Sequence, residues 1–144
     1  MFKHVGRLQA TASLAAEAFV RALAARDFER LERSLAPRVR FRALIPPGPA
    51  SATGATQTVA LLRKWFEDAQ DVRLVDKQVG LVGDRVSITY RLELEEDGPR
   101  VVEQHAYADV ADGRITTLDL LCSGFRLIAT NNDKRRTGGV SDAG

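Results

Sequence analysis

Cysteine occurs once in this chain of 144 residues, at Cys122. A single thiol excludes an intramolecular disulfide framework and a cysteine-based zinc site, and it suits a reducing, cytoplasmic setting. Histidine is almost as scarce. His4 and His105 are far apart in the sequence and form no metal-spacing motif, so no metal is expected. Charge of one sign is not in surplus. Lys and Arg total 21 against 19 for Asp and Glu, a net charge of +2 that gives no electrostatic reason for a nucleic-acid partner. Long apolar runs are missing as well. The stretch after Met1-Phe2-Lys3-His4 is broken by Gln9, Thr11, Ser13 and Glu17. Neither a signal-peptide core nor a membrane span is expected there. No phosphate-binding loop or dinucleotide fingerprint is present, and no cofactor is expected. What remains is ordinary globular material, 44% hydrophobic and 28% charged, in a length that suits one domain.

The first half reads as helical. From about Leu8 to Ala25, the residues Leu14, Ala15, Ala18, Phe19, Ala22 and Leu23 recur at three- and four-residue steps and make one apolar stripe. Asp27 is placed to cap a short second helix, in which Phe28, Leu31 and Leu35 share a face and which Pro37 ends. Val39 to Ile45 reads as a strand. The run Pro46-Pro47-Gly48-Pro49 cannot be helix or central strand, so Pro46 to Gly54 is expected to be a loop. A third helix is predicted from about Ala55 to Ala69, burying Val59, Leu62, Trp65, Phe66 and Ala69. The second half reads as a meander of strands near Arg73–Val82, Arg85–Glu95, Arg100–Val110 and Arg114–Phe125. Turn signals at Gly83-Asp84, Asp97-Gly98-Pro99 and Ala111-Asp112-Gly113 separate them. Residues 129–144 have no apolar period and are expected to be a disordered tail after a domain of residues 1–128.

Turn chemistry sets register, and register sets which side chains share a face. A two-residue turn at Gly83-Asp84 pairs Val79 with Ile88. Centring the next turn on Asp97-Gly98 pairs Tyr90 with His105. A three-residue loop at Ala111-Asp112-Gly113 pairs His105 with Asp119 and Tyr107 with Thr117. One face then gathers Tyr90, His105, Tyr107 and Asp119 on an otherwise apolar wall, which is the composition of a small-molecule pocket. The opposite face carries Ala106, Ala108, Val110, Leu118, Leu120 and Cys122. That is too apolar for a solvated surface, so either a second chain covers it or the register is displaced by one residue.

The order helix, short helix, strand, helix and four-stranded meander resembles the nuclear transport factor 2-like superfamily. Ala25-Arg26-Asp27-Phe28-Glu29-Arg30-Leu31 is similar to that family's entry into its second helix. Gly54 to Phe66 is similar to its third helix, and Asp112-Gly113-Arg114-Ile115 to its last hairpin. The resemblance spans roughly residues 8–127. It implies an α+β cone, three helices packed into a strongly curved antiparallel sheet, with a pocket inside and frequent homodimers through the outer sheet face.

The resemblance also frames the chemistry. The ketosteroid isomerases of the superfamily use carboxylic acids in the cone, whereas the first strand here offers Arg40 and Arg42. Its epoxide hydrolases use an Asp-Arg-Asp relay, whose nearest counterpart, Arg91 with Glu93, is expected outside the pocket. Its SnoaL-like cyclases use a His and an Asp, and His105 and Asp119 match that pair in residue type and strand placement. The resemblance therefore implies an acid–base enzyme acting on a small apolar, oxygenated molecule. His105 and Asp119 would be catalytic, and Tyr90, Tyr107, Trp65, Phe19 and Arg42 would bind substrate. The alternatives are a non-catalytic ligand-binding domain and a dimeric association domain, in which His105 and Asp119 would be a satisfied cross-strand pair. Cys122 is read as an inert buried thiol.

Overall fold

The computed structural model describes residues 2–128, and the expected tail at 129–144 lies outside the described residues. Helix α1 spans Phe2–Ala25, longer than its apolar stripe suggested. It buries Ala15, Ala16, Phe19, Val20, Ala22 and Leu23, the three- and four-residue steps of one face. Arg26 closes the helix with a left-handed backbone, φ 53°. The Asp27 carboxylate then accepts the Arg30 N–H at 3.1 Å and caps α2, Phe28–Arg33. The Arg26 guanidinium donates to the Ala69 carbonyl, tying this corner to the chain beyond the third helix.

Strand β1 runs from Leu35 to Ile45, four residues earlier than expected, and passes through Pro37. The proline is tolerated because the pairing of β1 with its neighbour shifts between Leu35 and Arg40, so no ladder hydrogen bond is lost there. The turn at Pro46-Pro47 and the bend at Gly54 are what remain of the expected loop. Gly48–Thr53 folds back on β1 as strand β2, pairing Ala43 with Ala50 and Leu44 with Pro49. This strand lies at the sheet edge, where a proline costs no inner hydrogen bond. Helix α3, Ala55–Phe66, buries Val59, Leu62 and Phe66 as expected, while Trp65 is half-buried.

The meander follows as β3 (Gln70–Val82), β4 (Arg85–Glu95), β5 (Pro99–Ala111) and β6 (Arg114–Cys122), with a two-residue β7 at Arg126–Leu127. The seven strands form one curved, unclosed sheet in the order β2-β1-β6-β5-β4-β3, with β7 beside β5. The architecture is the expected α+β cone, except that the sheet is mixed: β1 and β6 run parallel. The helices cover the inner face, and the largest fully buried side chains (Tyr90, Phe19, Phe41 and Phe66 among them) lie in that layer.

The first hairpin has the expected register, with Val79 opposite Ile88. The other two do not. Strand β4 ends at Glu95, which pairs with Pro99, so three residues make the turn rather than two. Asp97 and Gly98 both take positive φ there. Tyr90 consequently faces Gln104, not His105. In the last hairpin Ala111 pairs with Arg114 around Asp112-Gly113, and both turn residues have positive φ, as a type I′ turn requires. A bulge between Asp109 and Val110 adds one residue more, so Tyr107 faces Asp119 and His105 faces Leu121.

Candidate functional site

These registers exchange the two faces of β5 and β6 relative to β4. The inner face carries Val102, Gln104, Ala106 and Ala108 on β5, and Leu118, Leu120 and Cys122 on β6, all buried. The apolar set expected to need a covering chain is therefore the floor of the cone. Its polar exceptions form a row across three strands. The Tyr90 hydroxyl donates to Gln104 Oε1, and Gln104 Nε2 donates to Cys122 Sγ at 3.3 Å. Cys122 Sγ also accepts the Gly124 N–H at 3.4 Å. Phe19 closes over Tyr90 in an edge-on ring contact, centroids 6.3 Å apart. Trp65 lies beyond this row, tilted against Phe41 at 6.0 Å.

This row can orient an oxygen atom, but it offers little proton chemistry. Burial pushes the Tyr90 hydroxyl well above its ordinary value, and the neighbouring Cys122 adds to the shift. Tyr90 is therefore a neutral donor at physiological pH. The buried polar residues of the described chain are Ser34, Thr58 and Gln104, and none can act as a base. The Thr58 hydroxyl, on α3, has no hydrogen-bond partner.

On the inner side Lys77 of β3, opposite Tyr90, pairs with Glu17 of α1; the larger ionic network sits on the outer face. Arg42 Nε donates to Asp119 Oδ1 at 2.8 Å, joining β1 to β6. Arg85, from the start of β4, reaches across β5. Its Nε donates to Asp109 Oδ1 at 3.0 Å and its Nη2 to Asp119 Oδ2 at 3.1 Å. The Thr117 hydroxyl completes the set by donating to Asp109 Oδ2. The network thus spans four adjacent strands. The Arg42 hydrogen bond, against the opposing cost of partial burial and with help from Arg85, holds the Asp119 carboxyl below the usual carboxylate range. A carboxylate held ionised between two guanidiniums is a poor proton donor or acceptor at neutral pH.

Beside this network lies an apolar row. Pro49, Leu44, Leu121 and His105 follow one another across β2, β1, β6 and β5. Leu44 is 57% exposed, Leu121 55% and Tyr107 39%. The His105 and Tyr107 rings lie 5.1 Å apart. An open groove of about 610 Å³ crosses the region, lined by Arg42, Leu44, Pro49, Arg85, Tyr107 and Asp119 among others. The expected site residues are therefore divided between two faces. Phe19, Trp65 and Tyr90 belong to the interior, and Arg42, His105, Tyr107 and Asp119 to the outer surface. Gln104, Arg85 and Asp109 were not singled out from sequence. The alternation Val102, Ala106, Ala108 was the signal that could have placed Gln104 inside.

Among the described residues, no cluster of His, Cys, Asp and Glu could hold a metal ion, and no helix is long and apolar enough to cross a membrane.

Comparison with solved structures places the fold. An LEH-like epoxide hydrolase from M. tuberculosis aligns at TM-score 0.61 and 23% identity, covering 79% of this chain and 84% of that one. A proposed polyketide cyclase from Xanthomonas campestris pv. campestris aligns at TM-score 0.64 and 20% identity, covering 79% and 91%. A protein with a ketosteroid isomerase-like fold from Catenulispora acidiphila, solved with trimethylamine, aligns at 0.62 and 17%, covering 74% and 82%. At these identities the likeness is one of fold. No curated protein matches the chain. The sequence profile of the SnoaL-like domain matches residues 16–118, from the middle of α1 to β6, and on that match the chain belongs to the SnoaL-like domain family.

Proposed function

We propose that this chain is a non-catalytic, SnoaL-like association domain that pairs with a second copy of itself through the outer face of its sheet. One observation carries the reading: the exposed Leu44, Tyr107 and Leu121 adjoin a network of both charge signs on that face. A two-fold pairing brings each patch against itself, so a mixed-charge, part-apolar surface is self-complementary. Acid–base work by His105 and Asp119 finds less support. Both lie on the outer face, and Asp119 is engaged by two arginines. Leu121→Asp tests the proposal, because it sets like charges face to face across such a pairing. It should convert a dimeric elution volume in size-exclusion chromatography to a monomeric one with the melting temperature little changed. Elution unchanged by Leu121→Asp and by Leu44→Asp would remove this reading.

A second reading, binding of a small apolar molecule inside the cone, is favoured by the row Tyr90, Gln104 and Cys122 at the centre of the inner face. Such a ligand would present an oxygen to Tyr90 or Gln104, and Gln104→Leu would abolish its binding.

A further inference from the structure

A second concave surface lies on the helical side of the molecule. It is a cavity of about 800 Å³ between α1 and α2, bounded at one end by Gly113 of the last hairpin. That volume is within the range of small-molecule sites, roughly 300–1,000 Å³. Its floor is apolar. Leu14 is 68% exposed there, whereas Leu23 on the same helix is fully buried. Ala18 and Ala25 extend the floor, and their short side chains leave the space open. The walls carry charge of mainly one sign. Arg21 comes from α1 and Arg30 and Arg33 from α2, against the single carboxylate of Asp27. Asp27 is committed to capping α2 and to Arg30, at 3.4 Å. Arg21 leans on Glu17 at 3.8 Å. Among the described residues Arg33 makes no ion pair.

We infer that this cavity binds a medium-chain carboxylate, with the alkyl chain on Leu14 and Ala18 and the carboxylate on Arg33 and Arg30. An apolar trough alone would accept any greasy surface. The guanidiniums add the selectivity, because a planar carboxylate takes two parallel N–H bonds from Arg, and a neutral head group of the same chain length cannot repay them. Asp27 limits the cationic surplus, which favours one small anion over a polyanion. The cavity lies on the helical layer, away from the outer sheet face, so pairing of two copies leaves it accessible. This inference does not depend on the proposed pairing.

Titration of the full chain with sodium octanoate, followed by backbone amide shifts in NMR, tests it. Saturable shifts should appear around Leu14, Ala18 and Arg33. Octanol should bind about tenfold more weakly, and Arg33→Gln should remove about the same factor for octanoate while leaving octanol unaffected. Ala18→Trp, at an exposed position, should fill the trough and abolish both without lowering the melting temperature. Shifts confined to Tyr90, Gln104 and Cys122 would assign the ligand to the cone and overturn the inference. So would equal binding of octanol and octanoate, no saturation, or capture by anionic vesicles without binding of monomeric octanoate.

Discussion

Asp119 shows how much a single register decides. Two residues along the strand from its expected pairing, it meets Arg42 and Arg85 in place of His105. Its ion pairs lower its folded-state pKa, so they contribute stability that is complete above the unfolded value, near pH 4. That contribution is lost as pH falls through the lower folded value. Asp119→Asn should cost roughly 1–2 kcal/mol in urea unfolding at pH 7, because two guanidiniums lose a charged partner at a part-buried site. The difference between mutant and wild type should shrink as the pH is taken below about 4. Tyr90 gives a second residue-level expectation. In a Tyr107→Phe background Tyr90 is the only tyrosine, since the chain has two. Its ultraviolet ionisation signal should then appear well above pH 10, as burial demands. Ionisation near pH 10 in the folded protein would mean that the hydroxyl is hydrated.

At the scale of elements, helices and strands were largely legible because their signals are local. The three- and four-residue steps of α1, the Asp27 cap and the apolar face of α3 each depend on neighbours in sequence. β4 was readable residue for residue, from Arg85 to Glu95. Pairing was less legible, because one extra residue in a turn reverses a strand. Asp97-Gly98 supports a two-residue turn as readily as the three-residue connection that forms, and no local signal marks the bulge at Asp109 and Val110. The apolar run Val102, Ala106, Ala108, Leu118 and Leu120 did carry the answer, since it is worth more buried than His105 and Glu103 would be. The folding of Pro46–Thr53 into a turn and an edge strand was hidden behind three prolines. The packing of α1 on the sheet gives the element-level test. Phe19 is fully buried against Tyr90, and Phe19→Ala should cost about 3–5 kcal/mol in urea unfolding. A cost below about 1 kcal/mol would show a cone interior far looser than the packed one described.

For the whole molecule, the division of chemistry between two faces matters more than any one residue. The interior is apolar but for a short neutral polar row and the Lys77–Glu17 pair that joins β3 to α1. The outer face holds an ion network and exposed leucines, which is the pattern of an interaction surface. The family profile and the fold place the chain among SnoaL-like domains, while the position of its ionisable groups sets its proposed role apart from proton transfer in a cone. That role is tested most directly by the mass of the wild-type protein in sedimentation equilibrium across micromolar concentrations. A self-pairing chain has twice the 15.8 kDa of one chain, falling to a single chain for Leu121→Asp. A wild-type mass of one chain at every concentration would contradict it.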